Sequence, residues 1–390
     1  MFLKKAMTSP KKNDLKLKNL IKDLPSLAVS DNGYSSETPS SEEVEALMST
    51  ESSPMVEPTQ KSESDTKQKQ LKHFWSKSIN DFPELSKRFK IKESFYKTKG
   101  AELFYGVCKK TGEKVVIKRS IYCEATVNEV CLALKANRVV PEHTLPVLYN
   151  YIEPKVKEAK KKSSSSSSSS QMPSRSVIFV QPKYGLSLFE MMVKLNSVLE
   201  ILDLKYVYFQ VITALKKLQD SEIYHLDIKE ENILIDPFTL KIKIIDFGVS
   251  KHGPLPVPSD KIVGSKTFCA PEIYCGSSCL NSLKKHDVWS VGVCLFSSTT
   301  GQLPYQDLEN LLNGKSLIDV DQIVQSCKVR NIDQEEITNF CDLLCDVFVI
   351  DFRKRIDFED LLASKFFINE SEYKSRVKKQ LVKKVKSTKY

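Results

Sequence analysis

The run from Tyr224 to Asp236, YHLDIKEENILID, sets an aspartate, a lysine and an asparagine in a fixed rhythm, and IIDFG brings a second aspartate fourteen residues after the asparagine. Asp227 and Lys229 stand two apart, so in an extended segment their side chains share a face. Asn232 returns to that side at the exit of the loop. Asn232 and Asp246 are hard oxygen donors, the kind that hold Mg²⁺ carrying phosphate groups. Upstream, VVIK closes an apolar run with Lys118, a strand cation that can turn toward phosphate oxygens. Together these groups suit the handling of a metal-bound polyphosphate.

The elements around them explain how such groups could be held. LEILDLKYVYFQVITALKKLQD places Tyr208, Val211, Ile212, Leu215 and Leu218 along one helical stripe, and NILID reads as a strand. HLDIKEEN is therefore a loop on a rigid support, where catalytic side chains collect. IKIID reads as a buried strand running to Asp246, with Gly248 expected to free the backbone for the turn. From about Phe89 to Gln181, short strand-like runs dominate, among them ELFYGVC and EKVVIKR, joined by the turn signal Thr111-Gly112. One helical stretch interrupts them, EATVNEVCLALKAN, with Val127, Val130, Cys131 and Leu134 on one face. From Ser187 onward helices take over. DVWSVGVCLFSSTT is apolar on nearly every side, as a central helix should be, and Gly301 follows as a C-cap. The expected fold class is α+β, a small strand-rich lobe and a larger helical one, with ligand in the cleft between them.

At 390 residues and 41% hydrophobic, the chain can bury two lobes of this kind. It contains no apolar run long enough to span a membrane, and MFLKKAMTSPKK lacks the apolar region of a secretory signal. Neither Cys275 with Cys279 nor Cys341 with Cys345 has the neighbours that a metal site needs. The ten cysteines read as packed thiols of a reducing compartment, cytosol or nucleus. The net charge of +10 is concentrated at the C-terminus, where Lys374 to Tyr390 holds eight Lys/Arg and no acid. Residues 1–84 read as a disordered tail, its first 70 rich in Ser, Glu, Lys and Pro. Within it, Ser9-Pro10, Thr38-Pro39 and Ser53-Pro54 suit a proline-directed kinase. A Lys/Ser insert at 155–175 enlarges the hairpin between VLYNYIE and SVIFVQP. The basic tail at 371–390 puts Val377, Leu381 and Val385 on a thin stripe. It suits anionic lipid, nucleic acid or nuclear import, or simply a solvated end.

The ordered set VVIK, HLDIKEEN, DFG and APE resembles the eukaryotic protein kinases over about residues 85–370, with HDVWSVGV around Asp287 and DFRKRIDFEDLLASKFF around Arg355 as further matches. The resemblance implies lobes at about 85–184 and 185–370, with ATP and Mg²⁺ as cofactors and no other metal. By that resemblance Asp227 would accept or orient the substrate hydroxyl proton, and Lys229 would neutralise the γ-phosphate. Asn232 and Asp246 would hold the metals. Lys118 would grip the α/β-phosphates, aimed by a helix glutamate; Glu129, in VNEV, fits that place better than Glu124. Thr98, Gly100, Ala101 and Val116 fall at the remaining nucleotide-binding positions. Glu272 and Arg355 resemble the buried ion pair that holds the peptide-docking segment, to which Thr267 belongs. Lysine two residues after the catalytic aspartate resembles the serine/threonine branch, so protein Ser/Thr hydroxyls are the implied substrates. Glu230 and Glu231 beside the loop suggest basic ones.

Two departures stand out. The three glycine positions of the phosphate-covering loop fall near Tyr96, Thr98 and Ala101, and only Gly100 lies close by. That loss favours an alternative, a non-catalytic pseudokinase scaffold. Leu226 replaces the arginine of HRD, which usually pairs with a phosphorylated activation loop. The leucine removes a switch, leaving Ser259, Ser265 and Thr267 without that partner, while Asp227 keeps the chemistry.

Overall fold

Alternating side chains with short turns fold the strand-rich region into one antiparallel sheet, ordered β1-β2-β3-β5-β4. Its strands are β1 (Phe89–Lys97), β2 (Ala101–Cys108), β3 (Lys114–Ile121), β4 (Tyr149–Ile152) and β5 (Ser176–Pro182). Gly112 takes φ of 76° in the turn between β2 and β3, a conformation that glycine adopts without strain. This computed structural model describes residues 74–154, 175–194, 199–253, 264–275, 280–305, 323, 325, 332–367, 371 and 375. Residues 1–73, most of the 155–175 insert, Ser259, Cys279 and the stripe Val377, Leu381 and Val385 lie outside them.

Opposed residues of the sheet, Leu103 with Lys118 and Phe104 with Ile117, put Lys118 on one face and Ile117 on the other. The Lys118 face carries helix α2 (Glu124–Val139), whose Val130 and Leu134 pack on Val177 and Phe179. Onto the opposite face fold a helical turn at 74–76, a capped turn at Ile79–Asp81 and helix α1 (Pro83–Arg88). Ile79, Phe82, Leu85 and Phe89 join Phe104, Val115, Ile117, Ile178 and Val180 in one apolar core. This corrects the expected tail boundary. Residues 74–84 are packed structure, because their apolar positions fill a sheet face that would otherwise be bare.

The helical unit contains α3 (Leu188–Lys194), α4 (Ile201–Asp220), α5 (Pro271–Tyr274), α6 (Leu280–Thr300), α7 (Gln334–Val347) and α8 (Phe358–Ala363). Tyr208, Val211, Ile212, Leu215 and Leu218 of α4 are all buried, as their spacing implies. α6 is buried through Val288, Trp289, Val293 and Phe296, and Gly301, at φ 74°, ends it. Asp333 caps α7 by accepting from the Glu336 N–H at 2.8 Å, and Asp357 caps α8. Lys205 of α4 pairs with Glu336 of α7. Short strands β6 (Leu186–Ser187), β8 (Ile233–Ile235) and β9 (Ile242–Ile244) form a three-stranded sheet, and β7 (Ile223–Tyr224) pairs with β10 (Lys251–His252). Of the described residues, 74–134 and 146–183 form one compact unit, and 135–145 with those from Tyr184 onward form the other. Among the described residues, no helix is long and apolar enough to cross a membrane.

Candidate active site

The loop between β7 and β8 is held from beneath by one buried acid. Asp287 of α6 accepts from the backbone N–H groups of His225 and Leu226, both at 2.8 Å. This grip holds Leu226 at φ 64°, a left-handed conformation that costs a leucine roughly 1–2 kcal/mol. The Leu226 side chain is buried with Tyr224, Cys269, Ile273 and Leu283. Where the related motif carries an arginine, this chain therefore has an apolar plug against the segment that leads into APE.

The next residues turn their side chains toward one another. Lys229 Nζ lies 2.8 Å from Asp227 Oδ2, and Asn232 Nδ2 donates to the same oxygen at 3.0 Å and to the Asp227 carbonyl at 2.8 Å. The other Asp227 oxygen accepts from the Ser265 N–H at 2.8 Å, and Lys229 also donates to the Ser265 hydroxyl at 2.8 Å. Burial pushes the Asp227 carboxyl upward. The hydrogen bond and charge of Lys229, with Ser265, outweigh it and bring the carboxyl below its usual range. Asp227 is thus an ionised acceptor with a cation and a hydroxyl beside it.

No sequence expectation puts Ser265 against Asp227. Its signal is the pair Gly264-Ser265 at the start of GSKTFCAPE. Gly264 has φ 82°, and a Cβ there would lie 2.2 Å from the Leu226 carbonyl oxygen, so only glycine lets the segment lie this close to the loop. Asp287 belongs to a motif that the sequence offers, but its role as the clamp emerges only in the fold. Thr267 stands apart from the Asp227 cluster, its carbonyl accepting from the Tyr305 hydroxyl at 2.8 Å.

Ile245 N–H donates to the Asn232 carbonyl at 3.0 Å, which sets Asp246 next to the loop exit. The turn is made by Asp246 itself, at φ 66°, two residues beyond the strand end at Ile244. This corrects the expectation that Gly248 makes it; Gly248 instead donates its N–H to Asp246 Oδ1 at 3.2 Å. Asn232 spends its amide nitrogen on Asp227, leaving its side-chain carbonyl oxygen as the end that can serve a cation. An amide oxygen and a carboxylate fit Mg²⁺, a hard ion that keeps several waters.

Glu230 differs from the expectation. It is buried beneath the loop, hydrogen-bonded to Ser297 of α6, so of the acids expected to select basic substrates only Glu231 faces solvent. Burial pushes the Glu230 carboxyl up to about 7, which the Ser297 hydroxyl only partly offsets.

In the strand-rich unit, Lys118 pairs with Glu129 of α2, and Glu124 begins the helix on its exposed side. Lys118 also lies 5.7 Å from the centre of the Phe179 ring. Val116 shares its face. The β1–β2 hairpin closes on itself, with the Thr98 N–H donating to the Ala101 carbonyl at 2.8 Å and the Ala101 N–H to Thr98 Oγ1 at 3.1 Å. Two amides that a glycine-rich loop would offer to phosphates are spent inside the turn. Gly100 has an ordinary φ, and the place a methyl group would occupy there has no neighbour closer than 3.9 Å, so no steric demand explains this glycine.

Glu272 and Arg355 form a buried bidentate pair, with Nη1 to Oε1 at 2.6 Å and Nη2 to Oε2 at 2.8 Å. Arg355 also donates to the carbonyls of Val349 and Lys285.

An α+β fold that holds an Asp-Lys-Asn loop, a DFG turn and a strand lysine paired with a helix glutamate defines a protein kinase domain. The protein kinase domain family matches residues 102–367, and the chain belongs to that family. It is 36% identical over 123 residues to "Serine/threonine-protein kinase PSK2" of Saccharomyces cerevisiae, covering 31% of this chain and 10% of that protein. It is 30% identical over 165 residues to "Testis-specific serine/threonine-protein kinase 2" of Mus musculus, covering 40% of this chain and 43% of that one. It is 32% identical over 166 residues to "Serine/threonine-protein kinase SRK2B" of Arabidopsis thaliana, covering 42% and 45%. The chain therefore spans less than half the length of each of these relatives.

Proposed function

We propose that the chain is an active serine/threonine protein kinase that transfers the γ-phosphoryl group of ATP to protein Ser/Thr hydroxyls. The observation that carries this reading is the Asp227 carboxylate, kept ionised beside Lys229 and Asn232 and facing a serine hydroxyl. Asp227 orients the incoming hydroxyl and takes its proton. Lys229 balances charge on the transferred group, and Lys118, aimed by Glu129, grips the α/β-phosphates. Mg²⁺, held by Asn232 and Asp246, would neutralise the phosphate oxygens. Leu226 packs against Cys269 and Ile273, which supports a docking segment ordered without phosphorylation.

The second reading is a scaffold that binds nucleotide weakly and transfers nothing. It is favoured by the two hairpin amides consumed within the turn. Full-length protein incubated with Mg²⁺, ATP labelled on its γ-phosphate and a generic basic protein separates the two. Label transfer that disappears in Asp227→Ala supports the enzyme; nucleotide binding with no transfer by the unaltered chain rejects it. The cytosolic or nuclear placement, the proline-directed sites and the lipid or import role of the basic tail belong to the same proposal. Placement and the role of the tail are tested by following fluorescent fusions with and without residues 371–390, and the proline-directed sites by phosphopeptide mapping of residues 1–73.

A further inference from the structure

Next to Lys118 in β3 stands Arg119, and strand alternation sends its side chain through to the opposite face. There it is only 1% exposed, although it carries a full charge. It donates to the Lys77 carbonyl at 2.7 Å and to the Phe74 carbonyl, lies 3.5 Å from the Ser176 hydroxyl, and stacks 4.3 Å from the Phe74 ring centre. Burial lowers its pKa, and Glu102, Glu153 and Asp81 offset part of that cost. Lys77 pairs with Glu153, which closes the same segment over β4. One residue after Phe74, the Trp75 ring receives Lys97 at 3.7 Å from its centre. Lys97 ends β1, directly before the Thr98–Ala101 turn.

The segment 74–88 thus holds the two parts of this unit assigned to nucleotide: the strand of Lys118, through Arg119, and the covering hairpin, through Trp75. A glycine-rich lid gets its adaptability from backbone freedom. This hairpin has no glycine at the three covering positions, only Gly100 beside them, and it spends the Thr98 and Ala101 amides on its own turn. We propose that residues 74–88 are a brace that replaces that adaptability with a fixed lid, Trp75 and Arg119 being positioning residues for the nucleotide grip of Lys118 and the hairpin. This deepens the kinase reading and rests on it for the nucleotide.

The test uses the full chain with Trp75→Ala, Trp75→Phe and Arg119→Lys. Amide hydrogen exchange is read by mass spectrometry over residues 94–104, first without nucleotide and then with Mg²⁺ and ATP. Trp75→Ala is expected to speed nucleotide-free exchange in the hairpin by roughly threefold, the loss of one exposed cation–π contact, while the helical unit is unchanged. The KM for ATP rises by a similar factor, with kcat and the KM for the protein substrate held. Trp75→Phe, which keeps a ring face for Lys97, restores most of both. Arg119→Lys keeps the charge, loses the fork between two carbonyls, and loosens β3 as well. Unchanged hairpin exchange in Trp75→Ala overturns the brace. If the unaltered chain gains no protection from Mg²⁺ and ATP, the kinase reading fails instead, and the nucleotide-free exchange still decides the brace.

Discussion

Cutting one side of the Glu272–Arg355 pair tests how the APE segment is tied to the rest of the helical unit. The Arg355 side chain is 0% exposed and that of Glu272 is 4%, so neither charge can turn to water when its partner goes. Glu272→Leu leaves the guanidinium with Val349 and Lys285 carbonyls as acceptors and the Trp289 ring 4.8 Å away, but no counter-charge. Breaking a buried pair in this way costs about 3–5 kcal/mol. Arg355→Met strands the glutamate instead and releases three hydrogen bonds to carbonyls, so its cost falls at or above the same range. In the double variant no charge is left buried. It should then cost no more than Arg355→Met alone, with a coupling of roughly 3 kcal/mol between the two sites. Urea unfolding followed by circular dichroism measures all four corners of the cycle. In a domain of this size, 3 kcal/mol corresponds to a melting temperature lower by about 5 °C. A double variant as unstable as the sum of the two single ones would refute the argument, because it would mean that the two charges do not stabilise each other.

Glu230→Gln should stabilise the protein at alkaline pH. The folded carboxyl titrates at about 7, above its ordinary value of 4.5, so the fold favours the protonated form. That stability is complete below about pH 4.5, is lost as pH rises through 7, and amounts to about 3 kcal/mol. Denaturant midpoints for wild type and Glu230→Gln should therefore separate at about pH 8 and converge near pH 5; parallel curves would remove the claim of a costly buried charge. Gly100→Ala should leave stability within about 0.5 kcal/mol and the KM for ATP within twofold, given the open space at that position. A rise of roughly tenfold in KM would show that the hairpin still works as a glycine lid. Leu226→Arg puts an unpaired guanidinium among Tyr224, Cys269, Ile273 and Leu283, and soluble yield should collapse, whereas Leu226→Met should cost less than about 1.5 kcal/mol. A stable Leu226→Arg protein would show that the plug is not needed.

The groups that touch one another within a short loop are legible in the sequence. The two-residue step from Asp227 to Lys229 and the return at Asn232 follow from strand geometry and reappear as hydrogen bonds. Glu129 is legible because its helix carries an apolar stripe that fixes which side faces the sheet. Contacts that join distant segments leave little trace. Ser265 reaches Asp227 from thirty-eight residues away, and nothing in local periodicity marks it. Residues 74–84 are hidden by their Lys- and Ser-rich neighbours. Their apolar positions, Phe74, Ile79 and Phe82, are too sparse to form a pattern and gain meaning only against the sheet, where Phe74 and Phe82 meet Arg119 and Ile79 and Phe82 join Phe104 and Ile117. Glu230 reads as a surface acid because composition cannot tell which of two adjacent carboxylates turns inward. A turn after a buried strand points to the nearest glycine, because φ above zero is rare elsewhere; here Asp246 accepts it.

The chain has two tryptophans, and they fall one in each unit, Trp75 against Lys97 and Trp289 edge-on to Phe348. Each half therefore carries its own intrinsic fluorophore, one partly exposed and beside an ammonium, the other sealed among aromatic rings. Replacing either by phenylalanine leaves an emission signal from a single half, so the cooperativity between the two can be read from light alone, with no label attached.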